Sequence, residues 1–394
     1  MTPNQSTQLS NDIIAALRKA LPNTDNAFTP LHEPTFRGNE WTYVKECIDT
    51  GWVSSVGSYV TRIEEMIAEI TGAKYAVAVV NGTAALHVAL LLAGVMPGDE
   101  VLLPALTFVA TANAVRYTGA VPHFVDIDSA TLGVDARKLG NYLYEIAERR
   151  SDGWYNKGTG ARLRAVVPMH TFGHPADLEP LQRICERFGL VLVEDAAESL
   201  GSYYKGKHTG TFGTIAALSF NGNKIVTTGG GGAILTDDQA IARRAKHLTT
   251  TAKLPHAWEY SHDEIGFNYR MPNLNAALGC AQLEQLPRFL ESKRALYLKY
   301  EQAFSAVEGV SLFKEPEYAS SNYWLQTLIL DESAASARDV ILELTNQAGL
   351  MTRPAWKLMT HLPMYAGCPS MDLSVSRSLE ARIINIPSGS ALGA

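Results

Sequence analysis

Lys224 closes the run Leu218-Ser219-Phe220-Asn221-Gly222-Asn223-Lys224, and Ile225 to Thr228 and four glycines, Gly229 to Gly232, follow it. Upstream, the apolar run Val191 to Val193 ends on Glu194 and Asp195. A lysine amine can form an imine with a carbonyl carbon. A buried carboxylate can keep an aromatic ring nitrogen protonated, so that the ring accepts an electron pair. Hydroxyls beside glycines can cradle a phosphate. Together these are the parts needed to hold pyridoxal phosphate, with Lys224 as the Schiff-base lysine and Asp195 facing the pyridine nitrogen.

Each residue also has an ordinary reading. Asn81-Gly82-Thr83 joins a strand-like run to a helix-like one. Free N–H groups and the helix dipole at such a junction attract phosphate, with Thr83 adding a hydroxyl, yet a plain strand–helix turn capped by Thr83 looks the same. Asp195 stands where a parallel strand would end, facing the ligand crevice of an α/β sheet, or it caps a helix over Ala196–Leu200. Glu198, three residues on, would share its face or be a solvated glutamate. Four glycines permit close backbone approach or positive φ, or a flexible hairpin with an exposed lysine. Ser219 is a candidate phosphate ligand. Partial burial of Lys224 would favour the neutral amine that imine exchange needs. Phe108 opens a helix after a strand and could stack on a flat ring, although a lone aromatic is more often core. His170 and His174 are spaced i, i+4, but Gly173 and Pro175 argue against a helix and no Glu joins them, so no metal site is expected.

These residues need a frame. Short β-rich runs at Lys74–Val80, Glu100–Leu103, Val121–Val125, Arg164–Met169, Leu190–Glu194 and Ile215–Phe220 alternate with helical patterns at Thr83–Ala93, Ala110–Tyr117 and Asp177–Phe188. That alternation predicts an α/β domain with a mainly parallel sheet. Residues 11–21 have helical spacing with Asn11 as a possible cap, and 22–40 read as an extended arm. Residues 151–162 read as a loop or insertion. A long amphipathic stretch from Asn273 to about Ala306, interrupted by Pro287, leads into a smaller unit. The expected division is 1–40 for helix and arm, 41–300 for the large cofactor domain, and 301–394 for a small α/β C-terminal domain.

Composition narrows the class. The 394 residues are 46% hydrophobic and 19% charged, with net charge −6. No basic block supports nucleic-acid binding. The four cysteines are scattered, with no CxxC, which argues against a disulfide framework or zinc site. The N-terminus lacks a signal-peptide pattern, and the longest apolar run, Ala84 to Met96, is too short to span a bilayer. A soluble, cytoplasmic protein is expected.

Taken in order, the motifs resemble those of the DegT/DnrJ/EryC1/StrS sugar aminotransferases. GNEWTYVKECIDTGWVSSVGSYVTRIEE, NGTAALHVAL, LPALTFVATANAV, VPMHTFGHPADLEPL, VEDAAESLGSYYKGKHTGTFG, SFNGNKIVTTGGGGAI and GFNYRMPNLNAALG span residues 38 to 279. SFNGNK and a short INIPSG segment look most like the branches acting in legionaminic-acid-type pathways or on an 8-keto octulosonate. The resemblance implies pyridoxal phosphate fold type I, as in aspartate aminotransferase, and transfer of an amino group from glutamate to a keto sugar. The acceptor would be a nucleotide-linked 4-keto-6-deoxyhexose or 8-keto-3-deoxy-octulosonate, for cell-surface glycan or lipopolysaccharide synthesis. It makes Lys224 the Schiff-base lysine and proton carrier, and Asp195 the pyridine partner. Phe108 would stack on the ring, while Gly82, Thr83 and Ser219 hold the phosphate. Asn268 would reach the phosphate of a neighbouring subunit, which implies a homodimer with shared sites. Glu198 departs from the family's usual Gln or His near the cofactor's 3-oxygen. Trp52, Arg353 and His361 fall in segments that resemble substrate-facing parts. Family dehydratases carry a histidine where Lys224 stands, and a silent cofactor-binding regulator would not need the full residue set.

Overall fold

The computed structural model describes residues 1–22 and 28–393. Seven strands form the main path of a nine-stranded sheet: β1 (Tyr75–Val79), β2 (Glu100–Pro104), β3 (Val121–Val125), β4 (Arg162–Val166), β5 (Val191–Asp195), β6 (Ile215–Ser219) and β7 (Gly232–Thr236). Their spatial order is β1-β7-β6-β5-β4-β2-β3. The pairs β6–β5, β5–β4, β4–β2 and β2–β3 are parallel, and only β7 runs against its neighbours. The mainly parallel α/β sheet is therefore as expected. Such strands are covered on both faces and read as continuous apolar runs; every residue of β2 and β7 is buried. The helix Gly82–Leu92 is apolar all round because it is enclosed, with Ala84 through Leu90 buried.

Three segments differ from the reading of the sequence. The first helix runs from Pro3 to Ala20, and its cap is Thr2, not Asn11. Thr2 and Gln5 form a reciprocal capping box with Pro3 in the first turn, a start signal worth about 1 kcal/mol that outweighs the internal Asn. Residues 151–162 are not simply a loop. Ala147–Arg150 and Gly153–Asn156 form a hairpin that pairs with the start of β4. Trp154 anchors it against Phe188, ring centroids 5.0 Å apart. The stretch after Asn273 is two helices, Asn273–Leu283 and Leu286–Phe304, with Pro287 in the first turn of the second, where its missing N–H removes no helix bond.

A second, antiparallel sheet joins Val310–Leu312, Gln326–Leu330, Arg353–Pro354 and Ile383–Ile386. Ile13 and Leu17 of the N-terminal helix share a core with Leu328 and Ile384 of this sheet. Of the arm expected over 22–40, residues 23–27 lie outside the described residues. Residues 28–39 hold no helix, and Thr29 bridges to Leu350. Among the described residues no helix is long and apolar enough to cross a membrane.

Candidate active site

Five parallel strands deliver their carboxyl ends to one cavity of about 300 Å³. Asn81, Gly82 and Thr83 follow β1, Phe108 follows β2 and Met169 follows β4. Asp195 ends β5 and Ser219 ends β6, with Glu198 and Lys224 just beyond. This is where open α/β sheets bind ligands. Lys224, Asp195, Glu198, Gly82, Thr83, Phe108 and Ser219 thus meet, as the sequence predicted. Trp324 and Trp356 close the cavity from the C-terminal part of the chain.

Lys224 is held rather than waving in solvent; its side chain is 12% exposed. Its Nζ lies 3.0 Å from Glu198 Oε1 and 3.7 Å from the centroid of the Trp324 ring. The glycine run does both things expected of it. Gly229 takes a positive φ of 75°. A Cβ on Gly232 would stand 2.7 Å from the backbone of both Leu218 and Asn81, so its absence lets β7 seat between the ends of β6 and β1.

Glu198 sits in a turn, not on a helix, and no helix covers Ala196–Leu200. Its other oxygen accepts the Phe172 N–H at 2.9 Å. Burial pushes its carboxyl up to about 7, against the opposing pull of Lys224 and the Phe172 N–H. A raised folded-state pKa contributes stability below the ordinary carboxyl value, and this is lost as pH rises through about 7. The cofactor-free chain should therefore lose up to about 1.4 kcal/mol per pH unit between roughly pH 5 and 7 relative to Glu198→Gln. Urea midpoints of both proteins across that range measure this; parallel curves would show that Glu198 ionises without cost.

Asp195 is 2% exposed, and among the described residues no cationic side chain forms an ion pair with it. Thr111 Oγ1 donates to Oδ2 at 2.6 Å and the Ala197 N–H donates to Oδ1 at 3.2 Å. Burial raises its pKa, while these two donors and the charge of Lys224 oppose the rise. A buried anion so placed is completed by a cation delivered by a ligand.

Opposite chemistry gathers at the end of β1. Asn81 caps the helix Gly82–Leu92 by accepting the Ala84 N–H at 2.8 Å. The Gly82 and Thr83 N–H groups are first-turn donors with no acceptor inside the helix. A Cβ on Gly82 would lie 2.8 Å from Ser219 Cβ, so only glycine lets the Ser219 hydroxyl close on this helix end. Between the two poles, Phe108 is 46% exposed, a flat apolar face available to a ring. An anion cradle, a flat aromatic, an uncompensated carboxylate and a primary amine match the phosphate, ring, pyridine nitrogen and carbonyl carbon of pyridoxal phosphate.

Other predicted residues lie elsewhere. Asn268 is exposed and accepts from the Arg270 guanidinium at 3.1 Å. Trp52 is 57% exposed, and its carbonyl accepts from Asn273 Nδ2 at 2.7 Å. Arg353 donates to Asn346 Oδ1 at 3.0 Å, and His361 Nδ1 lies 3.5 Å from Glu380. None of the four lines the cavity of its own chain. His170 pairs with buried Glu194 at 3.0 Å, while neither ring nitrogen of buried His174 has a partner. Among the described residues they share no metal-like cluster. Sequence reading missed Thr111, Met169, Trp324 and Trp356.

Comparison with known proteins places the chain in a family. A profile of the DegT/DnrJ/EryC1/StrS aminotransferase family matches residues 34–394. The GDP-perosamine synthase of Caulobacter vibrioides is 36% identical over 91% of this chain and 92% of its own. EpsN of Bacillus subtilis, named as a candidate pyridoxal phosphate-dependent aminotransferase, is 39% identical over 91% of this chain and 90% of its own. The crystal structure of the aminotransferase TlmJ from Streptoalloteichus hindustanus superposes with a TM-score of 0.83 at 29% identity, covering 93% of this chain and 95% of that one. The chain belongs to the DegT/DnrJ/EryC1/StrS aminotransferase family. It is a pyridoxal phosphate-dependent sugar aminotransferase of fold type I.

Proposed function

We propose that the chain moves an amino group from glutamate to the keto carbon of a nucleotide-linked 4-keto-6-deoxyhexose. The observation that carries the site reading is the convergence of Lys224, Asp195 and the Gly82 helix end on one cavity. When bound, pyridoxal phosphate supplies a carbon for imine formation and a ring that accepts an electron pair. Gly82, Thr83 and Ser219 hold the phosphate, Phe108 covers one ring face, and Asp195 keeps the ring nitrogen protonated. Lys224 Nζ is the covalent anchor. Once the donor displaces it, the same amine takes the proton from the donor's Cα and later returns one to the sugar carbon. Glu198, 3.0 Å away, balances the charge that Lys224 gains.

The acceptor class draws support from relatives. Three GDP-perosamine synthases are 35–36% identical to the chain over at least 91% of its length. DesI, solved in the presence of its TDP-sugar product, shares 27% identity with a TM-score of 0.80. The enzyme works in the cytoplasm on precursors of cell-surface glycan. A homodimer is part of the same proposal, with Asn268 reaching the partner's phosphate site. Trp258, Tyr260 and Ile265, which precede that segment in sequence, are 79%, 81% and 86% exposed, and large apolar side chains left in solvent suit an interface. The same reading keeps 1–40, 41–300 and 301–394 as the units of the chain. Trp52, Arg353 and His361 remain its candidate substrate contacts.

Loaded enzyme pretreated with glutamate should regain its visible lysine-imine absorption on adding GDP-, UDP- or TDP-linked 4-keto-6-deoxyhexose. Recovery with 8-keto-3-deoxy-octulosonate alone would overturn the nucleotide-sugar assignment.

A further inference from the structure

We propose that Trp324 is a positioning residue for Lys224. Its indole face, together with the Glu198 carboxylate, holds the side-chain ammonium that Lys224 becomes when it takes a proton. This rests on Lys224 being the reactive lysine. In the transfer, a substrate C–H bond breaks, the proton goes to Lys224 Nζ, and the electron pair would be taken up by the ring that pyridoxal phosphate supplies when bound. The new charge arises on a side chain that is only 12% exposed. It lies 3.7 Å from the centroid of the Trp324 ring and 3.0 Å from Glu198 Oε1. The negative face of an indole attracts an ammonium, most strongly where water is excluded.

Trp324 is built to stay in place. It is 4% exposed. Its Nε1–H donates to the carbonyl of Asn223, the residue before Lys224, at 2.6 Å. Its backbone N–H donates to Asn322 Oδ1 at 2.8 Å, and its carbonyl accepts from Lys293 Nζ at 2.7 Å. Lys293 is wholly buried and also donates to the Ser388 carbonyl. Burying a lysine amine is costly unless it is hydrogen-bonded, and here the bonds tie Trp324 to the Leu286–Phe304 helix and to the C-terminal segment. The indole therefore links the C-terminal part of the chain to the lysine loop on one side and to the lysine's charge on the other. The charged or titratable groups that face Lys224 are Glu198, Asp195 and the more distant His32. Among the described residues only Glu198 lies within ion-pair distance.

The test uses the full-length chain freed of cofactor, labelled with acetic anhydride across a pH series and mapped by peptide mass spectrometry. Other lysines serve as internal references. Losing the ring face destabilises the ammonium, so Trp324→Leu should shift the Lys224 labelling midpoint to lower pH. At a fixed pH below the midpoint, labelling should be about tenfold faster. Trp324→Phe keeps a weaker ring face and loses the bond to Asn223, and should give about threefold in the same direction. A higher plateau with an unmoved midpoint would mean that Trp324 only blocks access, and would overturn the proposal. Should Trp324→Leu fail to fold, the midpoint of Trp324→Phe decides. Labelling does not require turnover, so absence of a lysine imine in the native enzyme would remove the Lys224 reading separately.

Discussion

Lys224→Ala is expected to fold and bind pyridoxal phosphate without a covalent link, yet lose at least about 10³-fold in kcat. Two functions leave with one amine: the anchor and the proton carrier. The cofactor's other proposed contacts stay, because Gly82, Thr83, Phe108 and Asp195 approach the cavity from other strand ends and Ser219 is fixed at the end of β6, five residues before the substituted side chain. Loss of Lys224 also leaves Glu198 without its cation at 3.0 Å. That carboxyl is already pushed up to about 7 by burial, so it becomes neutral rather than unfolding the site. Lys224→Arg should not restore turnover, since a guanidinium stays protonated and cannot form the imine. Steady-state rates with dialysis-resistant absorption measure both parts. A kcat within tenfold of the native value would remove Lys224 from the chemistry.

The second large effect belongs to Asp195→Asn. The replacement keeps an oxygen to accept the Ala197 N–H, and its amide nitrogen can donate to the Thr111 hydroxyl, which now donates to Asp195 at 2.6 Å, so the local fold survives. What disappears is the negative charge, and with it the partner of a protonated ring nitrogen. Breaking a buried ion pair costs about 3–5 kcal/mol, so cofactor affinity should fall roughly 10²–10⁴-fold. The proton-transfer step should slow as well, because a neutral ring is a weaker electron acceptor. Cofactor titration and single-turnover rates with glutamate separate the two effects. An unaffected variant would assign the pyridine nitrogen to another group.

That these side chains meet in one cavity was largely legible, because they sit at strand ends inside local motifs. Asp195 closes an apolar strand, Ser219 and Lys224 follow another, and Gly82 opens a helix. Each placement depends on neighbours in sequence, and sheet topology then brings the ends together. Trp324 was not legible for the opposite reason. It touches Asn223 from 101 residues away, and nothing in Asn322-Tyr323-Trp324-Leu325 marks it as more than core. Thr111 looks like any threonine on a helix until Asp195 is seen to need a donor. Glu198 was identified by its spacing from Asp195, but the turn that carries it was not. Its raised pKa arises from burial among groups distant in sequence. The hairpin at 147–156 was hidden by its short strands and polar turn, and the start of the first helix by an internal asparagine that mimics a cap.

Borohydride reduction of the loaded enzyme, followed by peptide mass mapping, tests the central claim most directly. The account predicts a stable cofactor adduct on the peptide containing Lys224, abolished when glutamate is added before the reductant. An adduct on a different lysine, or one at Lys224 that glutamate does not displace, would contradict it.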